Sequence, residues 1–299
     1  MAKITVVETF VSYNGEGLHI NGRLESAIWV RVAKCPFTCM AFNNPKKLDT
    51  ETNEGLGFNP QEYSSLQDIP EIEVGCDSIY AWDDRFKHLW KDYQIEDLAA
   101  HLIDLLPDNA KDWQHAESKQ RYGLTFTGGE PTSVMKAIVQ LIFLPEFDNL
   151  TTITFETNCA VPLMAKHMDL LKQWCEMKKG RRIIWSNSPK LSTSGEPWEK
   201  AIVPTNALMQ RLVGEGNFVQ YFKYVVDATD ESFAEVKKAM NEYHASGIPE
   251  DIEVCVMPMG GTLEQQHEID KKVSDLAIKN GYHMSWRSHI YAYGAKPGV

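Results

Sequence analysis

The sequence predicts an α/β fold built on a mostly parallel sheet. Short β-favouring apolar runs alternate along the chain with stretches whose apolar residues recur at helical spacing. Hydrophobic residues fill 43% of the 299 positions, ample for a large core. Right-handed strand–helix–strand crossovers then favour a βα barrel, open or closed.

The elements follow in order. Strands are expected at 27–32, 123–126, 152–156, 182–185, 219–226, 252–256 and 283–290. Between them Ile95, Leu98, Ala99, Leu102 and Leu105 repeat at helical spacing, as do Val134, Ile138, Leu141 and Ile142. Ser133, just after Pro131, is placed to cap the second of these helices. Later helices are expected at about 163–177, 232–244 and 263–279. Residues 1–299 read as one domain, interrupted at about 40–75 by a segment of different texture. That segment holds Pro45, Pro60 and Pro70, several Asn and Gly, and acidic residues outnumbering Lys46 and Lys47. Such composition suits an excursion of turns with one short helix, and suits a disordered loop equally well.

Composition excludes several classes of function. The formal net charge of −11 argues against a general nucleic-acid binder. No apolar run approaches the length of a membrane span, and the first seven residues are too polar for a secretory leader. The chain is therefore expected to be cytoplasmic, with no membrane partner. In a reducing compartment its six cysteines read as ligands or free thiols.

Cys35 and Cys39 form a C-x3-C pair at the end of an expected strand. Buried free thiols are the commoner fate of such a pair, and a zinc site with a further ligand such as His88 is also open. Continued as C-x3-C-x2-C, the run needs a cysteine at 42, where Phe42 stands. The neighbourhood of a third ligand returns as Cys76-Asp77-Ser78, followed by Tyr80 and Trp82. The 40–75 segment then reads as an insertion between the second and third ligands of an iron–sulfur cluster. A cluster held by three thiolates leaves one iron open for chemistry.

Other motifs stand at expected strand ends. Thr127-Gly128-Gly129-Glu130-Pro131 follows a strand and opens a helix. Paired glycines let backbone approach a ligand, and Glu130 offers an acceptor for an ammonium group; a tight turn explains the motif as well. Ser188-Pro189-Lys190 and Met257-Pro258 lie where barrel enzymes place ligands, and where loops simply begin. Near the N-terminus, Tyr13-Asn14-Gly15 sits in a polar, glycine-bearing stretch able to wrap a small heterocycle or to turn. Arg31 lies between apolar Val30 and Val32, so it either pairs internally or binds a substrate carboxylate.

Taken in order, E-T-F-x-S-x-x-G-E-G, R-V-x-x-C-x3-C, C-D-S, F-T-G-G-E-P, E-T-N, S-P-K, K-Y-V-V-D, M-P-M-G-G-T and R-S-H-I-Y-x-Y-G-x-K-x-G-V resemble the 7-carboxy-7-deazaguanine synthase family of radical S-adenosylmethionine enzymes. The resemblance spans 7–299 apart from the 40–75 segment. It implies a partial, open βα barrel of the radical S-adenosylmethionine type, a homodimer, and a flavodoxin- or ferredoxin-type reductant. The implied activity is that of a lyase contracting 6-carboxy-5,6,7,8-tetrahydropterin to 7-carboxy-7-deazaguanine with loss of ammonia, in deazapurine biosynthesis. It implies a 4Fe-4S cluster on Cys35, Cys39 and Cys76, and magnesium at Ser78, where the family usually has threonine. S-adenosylmethionine contacts are implied at Gly129, Ser188, Pro189 and Lys190, and the motif readings above add Gly128, Glu130, Met257 and Pro258 as candidates. Substrate contacts are implied at Tyr13, Asn14, Gly15, Arg31, Thr127 and the terminal Val299. Cys159, Cys175 and Cys255 fit no ligand pattern and read as packed thiols. Two other readings remain: a radical enzyme of the same fold with another substrate, and a non-catalytic descendant that binds metal or pterin.

Overall fold

A computed structural model describes residues 2–18, 25–44, 56–295 and 297–298 of the chain. Nine strands form one sheet: β1 (Lys3–Tyr13), β2 (Ser26–Val32), β3 (Lys91–Gln94), β4 (Gly123–Gly128), β5 (Thr152–Thr157), β6 (Arg182–Asn187), β7 (Phe218–Val226), β8 (Val254–Pro258) and β9 (His283–Met284). Their order is β3-β1-β2-β4-β5-β6-β7-β8-β9, so β3 and β9 are free edges and the barrel does not close. From β2 to β9 every pairing is parallel; β1 pairs antiparallel with β2 and β3.

The helices are α1 (Ile95–Leu105), α2 (Met135–Leu141), α3 (Ala165–Glu176), α4 (Trp198–Ala201), α5 (Pro204–Gln210), α6 (Asp230–Ala245), α7 (Leu263–Asn280) and α8 (Ser288–Tyr293). Leu98, Ala99 and Leu102 turn the buried face of α1 to the core, as their spacing predicts. One apolar cluster lies under α1, α2 and α3 against β2, β4, β5 and β6, with Phe126, Phe155 and Trp185 stacked in series. A second joins β7 and β8 to α6 and α7 around Phe222, Tyr224 and Tyr243. No helix among the described residues is long and apolar enough to cross a membrane.

Three expectations are corrected. The polar N-terminal stretch is a strand through Tyr13, because Val6 to Tyr13 pair with β2 across a bulge between Val6 and Glu8. The 283–290 run keeps only two strand residues; Ser285 N still donates to Val256 O at 2.9 Å, after which the chain turns into α8. Ser133 does not cap α2. α2 follows Val134 without a side-chain cap; the capped element is the 3-10 turn over Pro131–Val134 before it, where the Glu130 carboxylate accepts from Thr132 N at 2.9 Å.

The described part of the 40–75 segment is built rather than loose. Two short 3-10 turns, Pro60–Glu62 and Leu66–Asp68, start on Asn59 and Ser65 side-chain caps. Leu66, Ile69 and Ile72 are buried with Ile79 and Phe86 in a separate apolar cluster. The arms of the excursion meet where Gly75 N donates to Phe42 O at 2.6 Å.

Candidate functional site

The C-terminal ends of β2, β4, β5, β6, β7 and β8 surround a cavity of about 240 Å³, room for a multi-ring ligand rather than a lone ion. Cys35, Cys39 and Cys76 line it together, and none is in a disulfide. They pack with Phe37 and Phe42, so residues far apart in sequence share one wall. Positive φ at Lys34 (74°) and Cys39 (48°) turns the chain at the two ends of the loop that carries the first two cysteines. Burial pushes the Cys35 thiol up to about 12 and the Cys76 thiol up to about 11, so a metal centre here would form with release of protons. Among the described residues no three His, Cys, Asp or Glu side chains meet closely enough to hold a single ion. A multi-iron cluster does not need that convergence, because its thiolates bind different irons. His88 is remote from the cysteines, bonding Tyr63 O and Gln61 on the surface.

The glycine pair after β4 is required by the protein's own backbone. A Cβ on Gly129 would lie 1.9 Å from Lys34 O, and one on Gly128 would lie 2.5 Å from Val32 N. Gly129 N donates to Val32 O at 2.9 Å and Glu130 N to Lys34 O at 2.8 Å, which laces this turn to the cysteine loop. Glu130, expected to meet an ammonium group, is fully buried. Its carboxylate accepts from Thr132 N, Thr132 Oγ1, Thr157 Oγ1 and Asn158 N at 2.6–2.9 Å. It therefore holds the frame and does not line the cavity.

Charged groups gather deeper in the cavity. Lys223 is 3% exposed and sits between Glu16 at 2.7 Å and Glu156 at 2.9 Å. Ser186 Oγ also donates to Glu156, at 2.9 Å. Arg287 donates to Glu16 at 2.9 Å, to Asp77 at 2.6 Å and to Gly260 O at 3.1 Å. Burial would raise the Glu16 carboxyl, but Lys223, Arg287 and His289 hold it well below its ordinary value. Burial lowers His289 to about 4, so it is neutral at neutral pH.

Arg31 takes the internal partner, at least in part. Directly opposite it in the β1–β2 register stands Glu8, and Nε donates to Glu8 Oε1 at 2.6 Å. Its Nη1 donates to Ser78 Oγ at 2.9 Å, and its guanidinium lies 5.4 Å from the Tyr80 ring centre. Even so, Arg31 lines the cavity. The indole nitrogen of Trp29, on the cavity wall, is buried without a hydrogen-bond partner among the described residues, while the Trp82 side chain faces the Cys76 thiol.

Of the other expected contacts, Tyr13, Ser78, Thr127, Gly128 and Gly129 line the cavity, as do Ser188, Lys190, Met257 and Pro258. Asn14, Gly15 and Pro189 do not. Asn14 Oδ1 instead accepts from Thr125 Oγ1 at 3.0 Å. Gly15 lies so close to α8 that a Cβ would fall 2.1 Å from Ser288 Oγ. Val299 lies outside the described residues, though its neighbours Pro297 and Gly298 line the cavity. Cys159, Cys175 and Cys255 are buried away from the cavity in the apolar clusters. Glu16, Glu156, Lys223, Arg287 and His289 were missed as site residues. Lys223 carried a usable signal, a cation within an apolar strand, the same cue that marks Arg31. Arg287 and His289 fell inside a run read as strand.

No family model matches the chain. The chain is similar to the 7-carboxy-7-deazaguanine synthase of Pyrobaculum aerophilum, with 23% identity over 296 residues, covering 99% of this chain and 97% of that protein. A distant relation spanning nearly the whole length is what this comparison supports.

Proposed function

We propose that this chain is a radical S-adenosylmethionine enzyme of the 7-carboxy-7-deazaguanine synthase type, acting on a carboxylated pterin with loss of ammonia. The observation that carries the reading is the meeting of Cys35, Cys39 and Cys76 on one wall of a cavity that also holds Arg31. The full-length similarity to a named synthase adds weight. Three thiols beside an apolar wall fit a 4Fe-4S cluster, and 1–299 is then one domain with the 40–75 segment inserted between ligands. When bound, the cluster and S-adenosylmethionine supply a one-electron route to a carbon radical that takes hydrogen from the substrate.

The chain's own residues bind and orient. Ser188, Lys190, Met257 and Pro258 lie at strand ends suited to S-adenosylmethionine, beside the Gly128-Gly129 turn. Tyr13 and Thr127 line the same cavity, and Arg31 offers its fork to the substrate carboxylate while Glu8 holds it in place. Apolar walls from Phe10, Trp29 and Phe42 exclude water around the reacting carbon. Magnesium at Ser78 does not fit the residues as they stand: its hydroxyl already faces the Arg31 guanidinium, and Asp77 faces Arg287. No step is assigned to it. A flavodoxin- or ferredoxin-type reductant and a homodimer belong to the same reading.

The test is anaerobic reconstitution with iron and sulfide, then turnover with carboxytetrahydropterin, S-adenosylmethionine and a reductant, read by product mass. A brown four-iron protein releasing 7-carboxy-7-deazaguanine is the expected result. Cys76→Ala should lose both spectrum and turnover, while Cys159→Ala, Cys175→Ala and Cys255→Ala keep both. A colourless zinc protein, or a full cluster on Cys76→Ala, would sink the reading.

A further inference from the structure

The segment after β6 reaches back across the sheet and grips the cysteine loop. Ala41 N donates to Ser194 O at 3.2 Å, and Gly195, at φ 80°, is so close that a Cβ would lie 2.9 Å from that of Ala41. One residue further on, the Glu196 side chain is 7% exposed. Its Oε1 accepts from Thr38 N at 2.7 Å, from Cys39 N at 2.9 Å and from Thr38 Oγ1 at 3.2 Å. Its other oxygen is 3.7 Å from Lys200 Nζ, which is half exposed and itself donates to Pro36 O at 2.7 Å. A carboxylate from a distant loop thus takes up both backbone donors beside the second cysteine.

Two physical effects follow, with the same sign. Reduction potentials of iron–sulfur clusters rise with hydrogen bonds donated to their sulfurs and fall with added negative charge. Glu196 occupies the Thr38 and Cys39 N–H groups, which would otherwise be free to donate to a bound cluster, and places an anion in a poorly hydrated pocket, where charges act strongly. Resting on the cluster assignment above, we propose that Glu196 is a positioning residue that orders the Cys35–Cys39 loop and holds the cluster at low reduction potential. The step concerned is the uptake of one electron from an external low-potential donor, with no bond made or broken. A low potential makes the reduced cluster a stronger donor towards a sulfonium.

The test uses the anaerobically reconstituted full chain, with iron and sulfide content, visible spectrum and midpoint potential measured side by side. Glu196→Gln keeps an oxygen acceptor for Thr38 and Cys39 but removes the charge. It should retain the wild-type iron content and shift the reduction equilibrium at least tenfold, about 59 mV upward for one electron. Glu196→Ala removes the acceptor too and should lose most of the cluster. In the apoprotein, amide exchange at Thr38 and Cys39 should be slow in the wild type and at least tenfold faster in Glu196→Ala. A wild-type chain that takes up no cluster overturns the functional reading and this inference with it. A wild-type cluster with a potential unmoved by Glu196→Gln, a Glu196→Gln chain that binds no iron, or unchanged amide exchange in Glu196→Ala overturns the inference alone.

Discussion

Lys223 shows what a single side chain can organise. Its ammonium group is buried between Glu16, from the loop after β1, and Glu156, at the end of β5. Burial would lower its pKa, yet the two carboxylates facing it raise it well above the ordinary lysine value, so it stays charged. Taking it away leaves Glu156 without a cation and Glu16 with Arg287 alone, and breaking such a buried pair typically costs about 3–5 kcal/mol. Lys223→Met should therefore lower stability to denaturant by that order, and a loss under about 1 kcal/mol would contradict the geometry. Glu156→Gln made together with Lys223→Met should recover part of the loss, because the stranded charge is then gone while the Glu16–Arg287 pair stays. At this scale Arg31 and Lys223 were equally legible, each a cation within an apolar strand. The partners were not. Glu8 reaches Arg31 only through the β1–β2 register, and that register depends on a bulge that alternation in the sequence does not reveal.

At the scale of elements, the parallel strands and long helices could be read from periodicity because their buried faces are continuous. Periodicity carries no signal where pairing is set by tertiary contact. β3 is four residues long and exists through its ladder to Lys3–Val6, and β9 is two residues long. The turn after β4 is legible as a glycine motif, readable as a ligand contact or as a tight turn. The neighbour that demands its glycines is Lys34 O, which no local pattern encodes. A methyl at Gly129 must displace backbone, so Gly129→Ala should destabilise the fold by about 1–3 kcal/mol and, on the cluster assignment proposed above, depress iron uptake. Gly180→Ala is the control: φ there is positive, at 90°, as it is not at Gly129, and nothing lies within 4 Å of the added carbon. Thermal melting and iron content of the two variants separate a packing requirement from simple left-handed strain. Equal behaviour would contradict the close approach described above.

For the whole molecule, the open barrel poses the question of what bridges its gap. Gly17 N donates to Ser285 Oγ at 2.7 Å, Ser288 N to Gly15 O at 3.2 Å, and Arg287 to Glu16, so side chains and turns span the two ends of the sheet. Acid should weaken this bridge. His289 titrates near 4 in the folded chain, lowered by burial from an ordinary 6.5, with Glu16 and Asp77 opposing and Arg287 and Arg31 assisting. Between those two values the unfolded chain binds more protons, so stability falls as pH drops from about 6.5 towards about 4. Glu16, held below its ordinary 4.5, continues the loss at lower pH. The melting temperature should drop between pH 7 and pH 5, and drop less in His289→Gln. Identical slopes in the two proteins would remove His289 from the account.

The same bridge has a consequence for how the protein comes into being. Glu16 and Arg287 are 271 residues apart, so the loop after β1 leaves the ribosome long before the helix that completes it. Until then Glu16 and Lys223 face an unfinished wall, and the barrel has a rim on one side only. Contacts of such long sequence separation are slow to form. Assembly of the cavity is thus a late event in the life of the nascent chain, set by the order of synthesis as much as by the strength of any one bond.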